Sequence, residues 1–263
     1  MSEYVVHAIK YARIGDRTAA ENFMNGDPHN GPMPMDFFVW TLTDGDRTIV
    51  VDTGFDQATA ARRGRMVSRP VEEGLRAVDV DPGSISDVIL THMHYDHCGN
   101  HDLFPEARYH LQESEMRFCT GRCMCHHVLR HPFELPDVQN MVKRVFEGRV
   151  CFHDGAAEIA PGVSVHWVGG HSKGLQVVRV RTRRGWVVLA SDASHYYANF
   201  QQHRPFAIVV DVDDMLNGYE TMVGLASSAA HIVPGHDPLV LERYPSAGKG
   251  EGIVRLDADP LAD

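Results

Sequence analysis

The residues of this chain best suited to chemistry crowd into one short stretch. THMHYDHCGN (91–100) places His92, His94, Asp96 and His97 within six positions. Imidazoles and carboxylates at that density suit divalent cations. They are hard to explain as structure alone, because buried polar groups without partners cost free energy. Seventeen histidines make some clustering by chance expected, so the rest of the chain must supply partners. Three further strand-like runs do so. The run 162–168 leads into Gly169-Gly170-His171, the run 186–191 ends at Asp192, and HIV (231–233) runs into Pro234-Gly235-His236. Loops at strand ends along one edge of a sheet are where binding groups converge.

These side chains divide into two triads. His92 and His94 are two apart and can point to the same side of an extended segment; His171 completes their group. Asp96 and His97 are neighbours and diverge, so they serve a second group with His236. Asp192 remains, and its two oxygens can bridge two cations. The cofactors expected are two divalent ions, Zn²⁺ first, with Mn²⁺, Fe²⁺ and Co²⁺ also acceptable to this donor set. Two such ions about 3.5–4 Å apart would hold a bridging water, acidify it and polarise a substrate oxygen. A lone histidine on a strand is more often a core or surface residue, so His7, His110, His153, His166 and His231 are set aside. His236 is preferred to His231 because it lies in the loop beyond the strand.

The elements that must position these groups are legible in outline. Tyr4 to Ile14 reads as extended, and NGDPHNGPMP (25–34) as a loop. DFFVWTLTDGDRTIVVDTG (36–54) is a hairpin turning at Asp44-Gly45. Pro70 opens a short helix, and residues 87–90 form a strand that delivers the chain into the histidine motif. A strand at 107–112 passes into a helix from 113, and residues 120–150 read as helix or loop. The second half has a strand at 162–168, a hairpin around Arg183-Arg184, and an amphipathic helix at 211–226 with Met215, Tyr219 and Met222 on one face. The polar tail beyond Tyr244, residues 245–263, is expected to fray. Hairpins followed by helices, without a linker, fit two face-to-face sheets with outer helices in one domain spanning 1–263.

Bulk properties narrow the function. Apolar content of 43% and charged content of 23% are ordinary for a globular protein. A net charge of −10 argues against a nucleic-acid groove or an anionic membrane surface. The N-terminus lacks the pattern of a signal peptide, and no apolar run has the length of a membrane span. Five cysteines then read as reduced thiols in a cytoplasmic protein. Cys119, Cys123 and Cys125 crowd together, but no second pair follows, so they read as a helix end rather than a thiolate site. The partner expected is a small-molecule substrate, with no nucleic acid and no membrane, and the chain a monomer or homodimer.

The motif His92-Met93-His94-Tyr95-Asp96-His97 resembles the mark of the metallo-β-lactamase superfamily. Val51-Asp52-Thr53-Gly54, Gly170-His171-Ser172, Ser191-Asp192-Ala193 and Pro234-Gly235-His236-Asp237 extend the resemblance over roughly residues 36–240. It implies an α/β fold, the αββα four-layer sandwich of two mixed sheets with helices on the outer faces. It also implies a dinuclear site: His92, His94 and His171 on one metal, Asp96, His97 and His236 on the other, Asp192 bridging. Within the superfamily the chain is most similar to the N-acyl-homoserine lactonases, the quorum-quenching lactonases. The likeness runs through F-F-V-W-T-L, D-H-C-G-N with Leu103-Phe104-Pro105, Gln112 to Glu115, and Ser191-Asp192-Ala193-Ser194.

That likeness implies a hydrolase opening a lactone ring, with Asp96 and His195 catalytic. A tyrosine usually stands three residues after the bridging aspartate in those lactonases; here the position is His195, followed by Tyr196 and Tyr197. His195, Tyr196, Met33 and Phe37 are expected to face substrate, with loop 25–35 as an apolar wall. Rival readings keep the fold and change the bond, to a cyclic imide or amide, a thioester of the glyoxalase II kind, a phosphodiester or another ester. A metal-dependent redox enzyme is a more distant rival, since seven ligands suit two metals and the chain has no room for a flavin domain.

Overall fold

The first strands carry apolar residues on both faces, which demands cover on both sides. The computed structural model, describing residues 2–261, supplies it. In chain order the strands are β1 (Val5–Ile14), β2 (Met35–Thr43), β3 (Thr48–Val51), β4 (Met66–Val67), β5 (Asp87–Ile89), β6 (Arg108–Gln112) and β7 (Val150–His153). There follow β8 (Ala156–Ala160), β9 (Val163–Trp167), β10 (Gln176–Thr182), β11 (Gly185–Ser191), β12 (Ile232–Pro234) and β13 (Ile253–Arg255). One sheet runs β13-β1-β2-β3-β5-β6-β7, with β4 on β1; the other runs β12-β11-β10-β9-β8. Both are mixed. β3, β5, β6 and β7 are parallel neighbours, β12 is parallel to β11, and the other pairs are antiparallel.

Strand alternation builds the layers. Val6, Ala8, Phe38, Trp40, Leu42, Ile49 and Val51 pack against Val163, Val165, Val178, Val180, Val188 and Ala190 of the second sheet. Intervening residues such as Tyr11, Phe37, Val39, Val50 and Val88 turn outward. Leu75, Phe118, Val138 and Met141, from helices Val71–Ala77, Glu113–Thr120 and Leu135–Phe146, cover them. Helix Val212–Leu225 buries Met215, Tyr219 and Met222 as its pattern required. Trp40 lies fully buried between the sheets, a site where truncation to Ala costs about 3–5 kcal/mol. The expected αββα sandwich of two mixed sheets is the observed fold.

Three expectations need correction. The tail does not fray: β13 pairs with β1 through Ile9↔Ile253, and Ile253, Val254 and Leu256 are buried. The polar run PSAGKGEG concealed a three-residue edge strand; residues 262 and 263 lie outside the described residues. His231 sits in a helical turn before β12, not within the strand, where its ring meets the Arg184 carbonyl at 2.7 Å. Loop 25–35 is anchored to its neighbours, with Met33 N–H donating to the Arg17 carbonyl and Asn22 Nδ2 to that of Met33. The cysteine cluster disperses: Cys119 is buried, Cys123 half-buried and Cys125 exposed. Among the described residues no cluster able to hold a metal includes a cysteine.

Candidate metal centre

Parallel pairing brings the functional loops to one edge. β3 and β5 run side by side with Val51 opposite Ile89, so Asp52 and Thr91 emerge together. β11 and β12 do the same, with Ser191 opposite Pro234, so Asp192 and His236 emerge together. Gln176 on β10 ties the two sheets beneath this edge; its N–H donates to the Thr91 carbonyl and its Nε2 to that of Leu90. The close approach of the last two loops needs glycine. A Cβ on Gly235 would lie 2.6 Å from the Ser191 carbonyl oxygen. Asp52 and Ser191, at φ 58° and 46°, hold left-handed backbone that other side chains rarely adopt, a strain found where a site is over-determined by its surroundings.

Asp192 stands at the centre. Its Oδ1 lies 2.9 Å from His236 Nε2 and 3.1 Å from His97 Nε2. Its Oδ2 lies 3.1 Å from His171 Nε2 and 3.8 Å from His92 Nε2. His94 presents Nδ1, 2.9 Å from His171 Nε2, and Asp96 Oδ2 is 3.6 Å from His97 Nε2 and 3.8 Å from His236 Nε2. Donor atoms of His92, His94, His171 and Asp192 lie within 4.8 Å of one another, as do those of Asp96, His97 and His236. His236 and His97 thus face one oxygen of Asp192 and His171 and His92 the other, and donor atoms of Asp192, His195 and His236 form a further overlapping group.

The outward nitrogens set the tautomers. His97 Nδ1 meets Asp52 Oδ2 at 2.7 Å, His171 Nδ1 the Ile208 carbonyl at 2.7 Å, and His236 Nδ1 the Asp36 carbonyl at 2.9 Å. Each ring gives its Nδ1 proton away from the centre, leaving Nε2 as the nitrogen aimed inward. Asp52 is itself held by Thr91, whose N–H donates to Oδ1 at 2.7 Å and whose hydroxyl donates to Oδ2 at 2.8 Å. Glu115, fully buried, clamps two ligand loops by accepting from Met93 N–H at 2.9 Å, Gly174 N–H at 2.8 Å and the Ser172 hydroxyl.

Burial and the neighbouring carboxylates set the charges of the cluster. Burial pushes His92 and His94 well below the usual imidazole range, and neighbouring imidazoles push the same way. Burial opposes charge on His97 too, but Asp192, Asp96 and Asp52 override it and raise His97 well above that range. Asp192, although buried, is held far down by His195, His97 and His236. His92 Nε2 and His97 Nε2 are buried with no hydrogen-bond partner. Lone-pair donors converging on carboxylates, with polar atoms unsatisfied, fit two divalent cations of the kind this donor set prefers.

Residues 37–236 match the Metallo-beta-lactamase superfamily. The chain belongs to that superfamily. Relatives include an N-acyl homoserine lactonase of Bacillus cereus, 28% identical over 186 residues, 64% of this chain and 69% of that one. The N-acyl homoserine lactonase AttM of Azorhizobium caulinodans is 26% identical over 245 residues, 87% and 89% of the two chains. A quorum-quenching N-acyl homoserine lactone lactonase superposes with a TM-score of 0.75 at 21% identity, covering 90% of this chain and 94% of its own. The dizinc quorum-quenching lactonase AidC superposes at 0.69 with 14% identity, covering 100% and 98%. These two structural likenesses establish fold.

In this superfamily member a cavity of about 70 Å³ opens above Asp96, Asp192 and His236. Phe37 lines it, edge-on to His236 at 5.1 Å between ring centres. His195 lines it as well, with Nε2 3.0 Å from Asp192 Oδ2 and its ring stacked at 3.6 Å on Phe206. Burial lowers His195 to about 3 despite Asp192, so the ring is neutral. Tyr196 and Met33 do not line it. The Tyr196 ring is buried at the start of helix Tyr197–Gln201, where Asn22 Nδ2 donates to its hydroxyl at 2.9 Å. That hydroxyl meets the Pro34 carbonyl at 3.2 Å. Met33 offers backbone rather than side chain, and Met35 takes the lining position. Spacing missed Phe206, Arg17, Arg65 and Ile208, which reach the cavity from distant segments, and Tyr95, which lies within the motif itself.

Proposed function

We propose that this chain is a dinuclear metal-dependent hydrolase that opens a lactone ring, an N-acyl-homoserine lactone or a related small lactone. The observation that carries the reading is the division of Asp192 between two histidine-rich triads, beneath a cavity lined by a neutral imidazole. His92, His94 and His171 would hold one cation, Asp96, His97 and His236 the second, with Asp192 between them. Bound there, divalent cations supply Lewis acidity to a water nucleophile and to the ester carbonyl.

This chain's own residues do the rest. His195, packed on Phe206, has one N–H, which meets Asp192 Oδ2 at 3.0 Å, and would turn it to the carbonyl oxygen as that oxygen gains charge. Water adds to the acyl carbon, the acyl–oxygen bond of the ring breaks, and Asp96 carries the proton of that water to the leaving alkoxide. Tyr11 steadies Asp96 by donating its hydroxyl to the Asp96 carbonyl at 2.8 Å. An adjoining groove of about 390 Å³, walled by Val128, Leu129, Pro132, Ile208 and Val210, suits an alkyl chain. The five unpaired cysteines fit a reducing, cytoplasmic setting. Among the described residues no helix is long and apolar enough to cross a membrane.

The test is a pH-stat assay of metal-loaded protein on a lactone panel beside matched thioesters and cyclic imides, with metal analysis. Acid release from lactones, lost in Asp96→Asn at unchanged folding, supports the reading. Cleavage of a thioester or imide with no lactone turned over sinks it, and a single iron per chain favours redox chemistry instead.

A further inference from the structure

The geometry points to a lactone that carries a carboxylate, held at the mouth of the reaction cavity by Arg17 and Arg65. The inference rests on the lactone-opening reading above. The chain as a whole is acidic, at −10, yet three arginines line this one small cavity, Arg17, Arg63 and Arg65. Arg63 is committed elsewhere: its Nε donates to Glu134 at 2.7 Å, its Nη2 to the His131 carbonyl at 2.9 Å. The other two are not neutralised. Among the described residues neither Arg17 nor Arg65 has a carboxylate within 4.0 Å, whereas Glu134 alone serves both Arg62 and Arg63.

Both guanidinium groups are placed rather than loose. Arg65 Nε donates to the Tyr95 hydroxyl at 3.0 Å, and Tyr95 stands inside the histidine motif, so the motif itself aims this arginine. Its two terminal nitrogens have no partner among the described residues. Arg17 Nη2 donates to the Glu21 carbonyl at 3.0 Å and its Nε to the Asn22 side chain, and among the described residues Nη1 has no partner. Its guanidinium lies 5.1 Å over the Phe206 ring, the ring on which His195 stacks. Half-buried guanidinium groups with free, forked donors recognise planar carboxylates. A neutral acyl lactone offers them only carbonyl oxygens. A compact lactone that bears a carboxylate meets them with charge and with matching two-pronged geometry.

The test compares 5-oxotetrahydrofuran-2-carboxylate with its primary carboxamide on holoenzyme, in wild type, Arg17→Met, Arg65→Met and the double variant, each checked for metal content. The expected result is a kcat/KM preference for the acid of about 10-fold or more, as charge-assisted hydrogen bonds are worth. The acid-over-amide ratio should fall in each single variant, collapse toward unity in the double variant, and be partly rescued by Arg65→Lys. Equal turnover of acid and amide by wild type overturns the inference and leaves the lactonase reading intact. Equal losses on both substrates assign the arginines to structure and also overturn it.

If no lactone is opened, calorimetry with cyclopentanecarboxylate and cyclopentanecarboxamide on the same proteins still decides. Tighter binding of the acid by about 10-fold, lost in the double variant, supports anion recognition although the lactonase reading has failed. No such difference overturns it. Cyclopentyl phosphate binding more tightly than the carboxylate also overturns it, by assigning the pair to phosphate.

Discussion

Asp52 touches no candidate substrate, yet the structure makes it the residue that sets the tautomer of His97, a proposed metal ligand. Its Oδ2 meets His97 Nδ1 at 2.7 Å and accepts from the Thr91 hydroxyl, while Oδ1 accepts from Thr91 N–H at 2.7 Å. In Asp52→Asn the amide oxygen must take the Oδ1 place, because the opposite orientation sets an NH₂ against the fixed Thr91 N–H. The amide nitrogen then faces His97 Nδ1 and donates to it. That imidazole can accept only by moving its own proton to Nε2, the atom that faces Asp96 and Asp192, and a protonated Nε2 cannot ligate a cation.

Asparagine otherwise suits the site, since it tolerates the left-handed φ of 58° and keeps the Thr91 N–H satisfied. Its cost to folding should be about 1–2 kcal/mol. Asp52→Ala instead strands the buried Thr91 N–H and removes the carboxylate, at about 3–5 kcal/mol. Loss of an outer partner of this kind weakens metal binding about 10–100-fold, and the tautomer change places Asp52→Asn at the upper end. The assay equilibrates wild type and both variants across graded chelator buffers and counts metal per chain. Melting of metal-stripped protein gives stability, and long-range ¹H–¹⁵N NMR reads the His97 tautomer. If Asp52→Asn keeps its second ion at wild-type free-metal concentration, with His97 still protonated on Nδ1, the reasoning is wrong and Asp52 is a packing residue.

Three further outcomes are expected. Burial, reinforced by Glu134 and Asp56, pushes the Asp137 carboxyl from 3.8 up to about 7, so ionising it penalises the fold progressively from about pH 4 to 7 and fully above. Asp137→Asn should raise the Tm of the protein at pH 8, by up to about 4 kcal/mol in stability, and do little at pH 4. Asp87 is the reverse case: hydrogen bonding from His110, opposed by burial and helped by Arg108, holds it down to about 2. Its stabilisation is present above about pH 4 and is lost as pH falls toward 2. Asp87→Ala should therefore cost metal-stripped protein about 1–2 kcal/mol at pH 7, with the gap closing in acid melts. Gly235→Ala drives a Cβ to 2.6 Å from the Ser191 carbonyl, and displacing Asp192 and His236 by that clash should lower activity by about 100-fold.

All seven proposed ligands could be read from the chain because each stands just past the end of an apolar run, where a polar side chain is costly without a purpose. The sandwich was legible for a related reason, since alternation in DFFVWTLT splits into two apolar faces whatever the partner strands prove to be. The partners of the ligands were not. Asp52 and Glu115 lie inside stretches quoted for likeness, but nothing local says that one meets His97 45 positions on and the other Ser172 57 positions on. Those pairings are set by loop closure across two sheets.

The substrate-facing set failed at finer grain. His195 and Tyr196 lie four and five residues beyond the end of β11, in the turn that enters helix Tyr197–Gln201. Tyr196 caps that helix, its N–H donating to Asn199 Oδ1 at 2.8 Å and its hydroxyl meeting Asn22 and the Pro34 carbonyl, while His195 stands over Asp192. Residue type favoured both, and only the path of the turn excluded one. Arg65 is likewise reached from the motif without appearing in it, because the Tyr95 hydroxyl, between His94 and Asp96 in the chain, accepts from that guanidinium at 3.0 Å.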